Sequence, residues 1–322
     1  MRLKVTREPP GTYGGGVTTP PGGPRDPDDT HVENTPVADL IHSITTDPGT
    51  DPSHVLAVFD LDKTIIDTSA SMAYRKPLAD RGLITTTDML RMLMMLGNYM
   101  ISGHDDNSLN TTRDTLVAMV RGRSSDDLAD VAHSALQDVI VPFIYSEART
   151  LIDRHHALGH RVAIITASAR VLVSPIAEEL GADHLIATEL AVDDDGLFTG
   201  EVPFFCKGPA KVEGLRRLAD ERGYDLASSY AYTDSATDLP LLEAVGHPTV
   251  VNPDRALRRE AAVRDWPVAN FGRTEPLFTL PEHTGAIAGT SAAVALVGTV
   301  AAGLLVWLRG RDEGRDEGRD ES

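Results

Sequence analysis

The sequence holds a single cysteine, Cys206, in 322 residues, which excludes an intrachain disulfide and a structural zinc site built on thiolates. A reducing compartment suits such a chain. Lysine is nearly as scarce, at five residues, and Asp plus Glu outnumber Lys plus Arg by 48 to 30, giving a formal net charge of −18. So acidic a chain repels a phosphate backbone and carries no basic footprint, which argues against nucleic acid as a partner. The opening residues, MRLKVTREPPG, lack the apolar run of a secretory signal. Nothing there directs export, and the bulk of the chain is expected in the cytosol.

What the chain does contain is 41% hydrophobic residues, enough over this length for one large domain or two modest ones. Residues 1–36 stand apart: PPGTYGGGVTTPPGGPRDPDD cannot bury enough apolar area to offset ordering entropy, so a disordered arm is expected. TPVADLIHSI then has the spacing of a short amphipathic helix, and PGTDPS marks a turn. HVLAVFD (54–60) is an unbroken apolar run ending in an acid, the pattern of a buried parallel strand that delivers a carboxylate at its C-terminal end. RVAIIT (161–166), HLIAT (184–188), SYAYTD (229–234) and PTVVN (248–252) repeat it, with the helical stretches VLVSPIAEELG and PAKVEGLRRLADERG between them. This alternation predicts an α/β doubly wound parallel sheet that binds ligands at the C-terminal ends of its strands. ELAVDDDGLFTGEV (189–202) predicts a hairpin turning on Asp-Gly.

Residues 68–146 show helical periodicity and no convincing strand, as an inserted helical cap would. Within them DMLRMLMMLGNYM carries five of the eight methionines, the composition of a packed helix core or of a soft, adaptable pocket wall. Residues 284–308, TGAIAGTSAAVALVGTVAAGLLVWL, carry no charge. At ~1.5 Å per residue a helix of this length covers ~37 Å, more than the ~30 Å hydrocarbon core of a bilayer. A single transmembrane helix is expected, with Trp307 as an interfacial anchor. After it, RGRDEGRDEGRDES (309–322) is a charged, low-complexity tail. Its Arg309, Arg311, Arg315 and Arg319 favour an inside tail by the positive-inside rule, whereas a cytosolic domain on one span places the tail outside.

The sharpest local signal is FDLDKT (59–64), two aspartates one residue apart and then a threonine, directly after the first buried strand. Both carboxylates can be aimed at one phosphate from the loop after that strand. The residues resemble the first motif, DxDxT, of the haloacid dehalogenase (HAD) superfamily. That resemblance implies Asp60 as a nucleophile that becomes phosphorylated, Asp62 as general acid and base, and Thr64 as a hydrogen-bonding support of the loop. Asp is ionised at pH 7 from its reference pKa of ~3.9, so Asp62 donates a proton only where its site favours the neutral form.

Further motifs follow in the expected order. Thr166, ending AIIT, is similar to the second motif, a hydroxyl on the transferring phosphoryl group, with the backbone N–H groups of Ala167 and Ser168 as added donors where the next helix begins. Lys211, in CKGPAKVEGL, is similar to the third motif, a cation that offsets nucleophile and phosphate. Lys207 competes with it from four residues earlier, near the pocket mouth. TDSATDLPLL (233–242) is similar to the fourth, implying Asp234 as a Mg²⁺ ligand and Asp238 as support for the metal or for Lys211. The resemblance implies Mg²⁺ held by Asp60, the backbone carbonyl of Asp62, Asp234 and waters.

The resemblance covers residues 54–270 and extends to the phosphoserine phosphatase-like subfamily with a helical cap, in which IYSEARTLIDRHHALGHRVAIITAS is similar to actinobacterial members. It implies a phosphatase domain over 37–270, with a core at 54–67 and 147–270, a cap at 68–146 and a linker at 271–283. Departures bear on the substrate. Ser69 stands where phosphoserine phosphatases place a glutamate that grips the substrate amino group, and TASA and Thr-Asp-Ser replace glycine-containing motifs. Arg75 and Lys76 read either as anion-binding residues or as solvated cap surface. His155 and His156 have no third ligand in view and read as structural, in a polar helix end. Cys206 beside Lys207 reads as a semi-buried structural thiol.

The expected activity is a Mg²⁺-dependent phosphomonoesterase acting on a small phosphorylated metabolite, tethered to the cell membrane by one span. Alternatives are a phosphotransferase acting on an alcohol or lipid headgroup, and a non-catalytic membrane scaffold. A single candidate span excludes an ion pump.

Overall fold

The computed structural model describes residues 34–85, 113, 117, 118 and 120–272. Six parallel strands form one sheet in the order β3-β2-β1-β4-β5-β6. They are β1 (Leu56–Asp60), β2 (Arg161–Ala169), β3 (His184–Thr188), β4 (Tyr230–Thr233), β5 (His247–Val251) and β6 (Val268–Ala269). The five apolar runs are five of these strands. The two-residue β6, which pairs with β5 through Val250 and Val251, is too short for periodicity to reveal.

Every residue of β1 is buried, because the sheet is covered on both faces. Alternation sends Ala57, Phe59, Tyr230 and Tyr232 into one hydrophobic cluster, and Leu56, Val58, Ala231 and Val250 into the other. Helices α1 (Val37–Ser43), α2 (Ala70–Ala73), α3 (Arg75–Asp80), α4 (Ser125–Ala135), α5 (Ser146–Ala157), α6 (Arg170–Glu179), α7 (Pro209–Arg222), α8 (Leu239–Glu243) and α9 (Arg255–Arg264) follow in chain order. The end of the expected arm is tied down, since the Thr35 N–H donates to the Val268 carbonyl at 2.7 Å. Helix α1 buries Leu40.

The sheet order reverses direction between β1 and β4, which run side by side, so the crevice at their C-terminal ends is the switch point. The chain leaves the core beyond β1 and returns before α5. The two crossings are stitched together by Asp67 N–H to the Phe143 carbonyl (2.8 Å), Tyr145 N–H to the Ile65 carbonyl (2.9 Å) and Tyr145 O–H to Asp67 Oδ1 (2.6 Å). Between them lie α2, α3 and α4, with Tyr74 of the first pair donating to the Ala132 carbonyl. The methionine-rich stretch 88–100 is outside the described residues. The 189–202 hairpin forms with two antiparallel bridges, Glu189 to Phe204 and Val192 to Phe198, and turns at Gly196 with φ 78°. Among the described residues no helix is long and apolar enough to cross a membrane; residues 284–308 lie outside them.

Candidate active site

Asp60 is the last residue of β1, and the chain beyond it turns through Lys63 at φ 62°. Backbone bonds make this turn: Ile65 and Ile66 both donate to the Leu61 carbonyl, and Lys63 donates to that of Thr68. The expectation that the Thr64 side chain supports the loop is therefore corrected. Its hydroxyl is buried and has no hydrogen-bond partner among the described residues, because backbone donors already close the turn.

Lys211 reaches the same point from the first turn of α7, where Gly208 (φ 56°) and Pro209 set the helix start. Helix α7 lies against β3 at Gly214, where an added Cβ would sit 2.8 Å from Ile186 Cγ2, so a glycine there permits the approach that carries Lys211 inward. Lys211 is 4% exposed, with Nζ 2.7 Å from Asp60 Oδ1 and 2.6 Å from Asp238 Oδ2. Thr233, the last residue of β4, donates to the same Asp238 oxygen at 2.9 Å. Asp238 is thus the partner of Lys211, one of the two roles expected for it. Asp234 follows β4 directly, and its loop is pinned by Asp254, whose N–H donates to the Asp234 carbonyl while its carboxylate accepts from Ala236 and caps α9.

Asp62 is held through both oxygens. Oδ1 accepts the N–H of Ala70 at 2.7 Å, and Oδ2 accepts the hydroxyl of Ser168 at 3.0 Å. Ser168 comes from β2, whose register against β3 shifts between Thr166 and Ala169. Helix α6 begins at Arg170, close to the expected stretch VLVSPIAEELG, but β2 runs on to Ala169, so Ala167 and Ser168 lie in the strand and not at a helix start. Ala167 lies in this bulge with its carbonyl accepting from Thr188, and the Ser168 N–H is committed to Thr166 Oγ1 at 3.1 Å. Thr166 is buried, and its hydroxyl proton stays available to a ligand.

Burial is the first cause of every carboxylate shift here. It raises Asp60 well above the ordinary range against the pull of Lys211, with Asp238, Asp234 and Asp62 adding to the rise. It raises Asp62 too, opposed by the bonds from Ala70 and Ser168. Burial and then Asp238 push Asp234 up to about 7. Burial alone would lower Lys211, but Asp238 and Asp60 outweigh it and hold the ammonium above its usual range. When ionised, four carboxylates around one buried cation carry surplus negative charge, which a divalent cation would offset. Among the described residues no cluster of three or more His, Cys, Asp or Glu side chains converges as a metal cage. Two carboxylates and a carbonyl fit Mg²⁺, an oxygen-seeking ion that keeps several waters.

Other expectations resolve differently. Lys207 is half-buried, and burial followed by Lys211 lowers its pKa. Lys76, 80% exposed and paired with Asp80 at 2.6 Å, and Arg75 both border, with Met72, Arg81 and Phe143, a cavity of 650 Å³ between α3 and α4. Ser69 caps α2 by accepting from Met72 at 3.4 Å. Cys206 is fully buried, and burial pushes its thiol up to about 12. His155 lies in the last turn of α5, as expected, and is structural: its ring turns into the core, bonded to His160 (2.9 Å) and to the Tyr232 hydroxyl (2.8 Å). Sequence reasoning missed the Ser168 side chain, although a hydroxyl in TASA beside Thr166 was the signal.

The haloacid dehalogenase-like hydrolase family model matches residues 57–243, which contain Asp60, Asp62, Thr166, Ser168, Lys211, Asp234 and Asp238. The chain is 42% identical over 262 residues to the inhibition of morphological differentiation protein of Streptomyces azureus, covering 79% of this chain and 93% of that one. It is 41% identical over 264 residues to a probable phosphatase of Mycobacterium tuberculosis, covering 81% and 91%. A protein of unknown function from Bordetella pertussis has a similar crystal structure, with TM-score 0.60 and 29% identity over 70% of this chain and 100% of that one.

Proposed function

Because this chain belongs to the haloacid dehalogenase-like hydrolases, we propose that it is a Mg²⁺-dependent phosphomonoesterase that turns over a small phosphorylated metabolite through an aspartyl-phosphate on Asp60. The observation that carries this reading is the buried Lys211, bonded to both Asp60 and Asp238 at the C-terminal ends of β1 and β4. The identity to a probable phosphatase supports it.

In the first step an Asp60 carboxylate oxygen bonds to phosphorus, and the ester oxygen leaves with a proton from Asp62. In the second, water attacks the aspartyl-phosphate while Asp62 takes its proton, which restores both carboxyl groups. Lys211 offsets charge on Asp60 and the phosphoryl oxygens, and the Thr166 hydroxyl donates to one of those oxygens. Asp60, the Asp62 carbonyl and Asp234 would hold Mg²⁺, which supplies charge neutralisation at the phosphate when bound. The raised pKa of Asp62 suits a group that must carry a proton at neutral pH.

Phosphoserine is disfavoured as the substrate, since Ser69 is occupied as a helix cap and offers no carboxylate. The assay is turnover of an aryl phosphate, with and without Mg²⁺, by wild type and Asp60→Asn. Loss of turnover in the variant and with EDTA is expected; no turnover across a broad ester panel would sink the reading.

Residues 284–308 are proposed as a single membrane anchor with the catalytic domain on the cytoplasmic side, supported by 25 uncharged residues in a row. Alkaline extraction of membranes tests it: the full chain should stay with the lipid, and a chain ending at 283 should not.

A further inference from the structure

Asp62 sits between two donors from different parts of the chain. Ala70 opens α2, in the segment that leaves the core, whereas Ser168 stands in the β2 bulge, in the core itself. The backbone at Ser168 is fixed independently of its side chain. Thr188 Oγ1 holds the Ala167 carbonyl at 2.7 Å, and Thr166 Oγ1 accepts the Ser168 N–H at 3.1 Å. The hydroxyl is therefore surplus to the bulge and is spent on Asp62 Oδ2. A hydroxyl also both donates and accepts, so this contact survives a change in what Asp62 carries, whereas the Ala70 N–H only donates.

We propose that Ser168 is a positioning residue for the reaction: its hydroxyl, presented by the β2 bulge, fixes the Asp62 carboxyl group for proton transfer to the leaving oxygen and from the attacking water. This rests on the reading of Asp62 as acid and base. The Ser168 hydroxyl donates to Asp62 and not to Asp60, so its role runs through Asp62.

The test compares wild type, Ser168→Ala, Ser168→Thr and Asp62→Asn as full chains, with p-nitrophenyl phosphate and glycerol phosphate as substrates and inorganic phosphate as inhibitor. Losing one hydrogen bond to a charged group should lower kcat/KM for glycerol phosphate about tenfold in Ser168→Ala. The fall should be about threefold or less for p-nitrophenyl phosphate, whose leaving oxygen needs little protonation. Inhibition by phosphate should be unchanged, and Ser168→Thr should restore the rate. If the alanine variant does not fold, Ser168→Cys keeps the volume with a weak donor and should show the same split. Equal falls for both esters, weakened phosphate inhibition or failure of threonine to rescue would overturn the proposal. An unaffected Ser168→Ala beside an inactive Asp62→Asn sinks the role of Ser168 and leaves Asp62 standing; an active Asp62→Asn removes both.

Discussion

Strands β1 and β4 carry two buried polar clusters one residue apart, and they solve burial in opposite ways. Around Asp60 the groups are charged, with Lys211 shared between two carboxylates while Asp62 and Asp234 lie close by. Around Phe59 and Tyr232, stacked at 4.4 Å, the groups are neutral. Thr46, His160, His155 and Tyr232 form one chain of hydrogen bonds at 2.8–2.9 Å. Each neutral imidazole can donate through one nitrogen and accept through the other, so this chain is complete without a charge. Burial lowers both histidines and raises the carboxylates. The histidine cluster is satisfied while neutral, whereas the carboxylate cluster must either hold protons or be offset by cations such as Lys211.

The largest effect should follow from the charged side. Asp60→Asn keeps the shape and the Asp238 bond to Lys211, so the fold should persist while turnover drops by about 10³-fold or more, as expected for loss of a nucleophile. Steady-state kinetics beside a thermal melt checks this; retained turnover breaks the contrast. Lys211→Met should cost about 3 kcal/mol or more of stability, since it strands Asp60 and Asp238 as buried carboxylates without their cation. Urea unfolding measures it, and a near-neutral result would mean that the carboxylates are already protonated in the fold.

On the neutral side, His155→Leu should cost about 2 kcal/mol by leaving His160 and the Tyr232 hydroxyl each short of a buried partner. Turnover should hardly change. A variant as stable as wild type, or one that loses activity with its fold intact, would erase the distinction between the two clusters.

The charged cluster was legible because its residues are tied to strand ends. Asp60, Thr166 and Asp234 each follow or finish an apolar run, and such a run announces both the strand and where its carboxylate or hydroxyl emerges. Lys211 was legible from its place at a helix start. Contacts set by irregular backbone were not. The β2 bulge has no periodicity, so Ala167 and Ser168 read as a helix start, and the Ser168 side chain is overlooked. Thr64 failed for a related reason, since a backbone turn can replace a side-chain brace without changing the sequence pattern. His155 was legible as structural but its partners were not, because a helix rich in polar residues still turns one face inward and only the fold shows what that face meets. The short β6 lies below the length at which alternation carries information.

The smallest effects are the most discriminating, because the two clusters titrate with opposite signs. Unfolded Asp234 loses its proton near 3.8 but the folded residue keeps it to about 7. Between those values the fold binds more protons than the unfolded chain, so this group makes stability fall as pH rises. His155 and His160 are held neutral below their ordinary 6.5. Their contribution is complete above 6.5 and is lost as pH falls toward the depressed folded values. In metal-free protein the two slopes oppose each other below pH 6.5. Mg²⁺ binding would keep Asp234 ionised and remove its slope, exposing the histidine rise. At about ten times its Kd, Mg²⁺ should also add ~1.4 kcal/mol, or roughly 3–5 °C in melting midpoint. Urea midpoints at pH 5, 6 and 7, in EDTA and in Mg²⁺, test this. Wild type should steepen with Mg²⁺, metal-free Asp234→Asn should be steeper than metal-free wild type but short of the Mg²⁺ form, because raised Asp60 and Asp62 still oppose the histidines, and His155→Leu should be shallower than wild type in Mg²⁺. The same pH slope in all of them would show that neither cluster titrates as its burial requires.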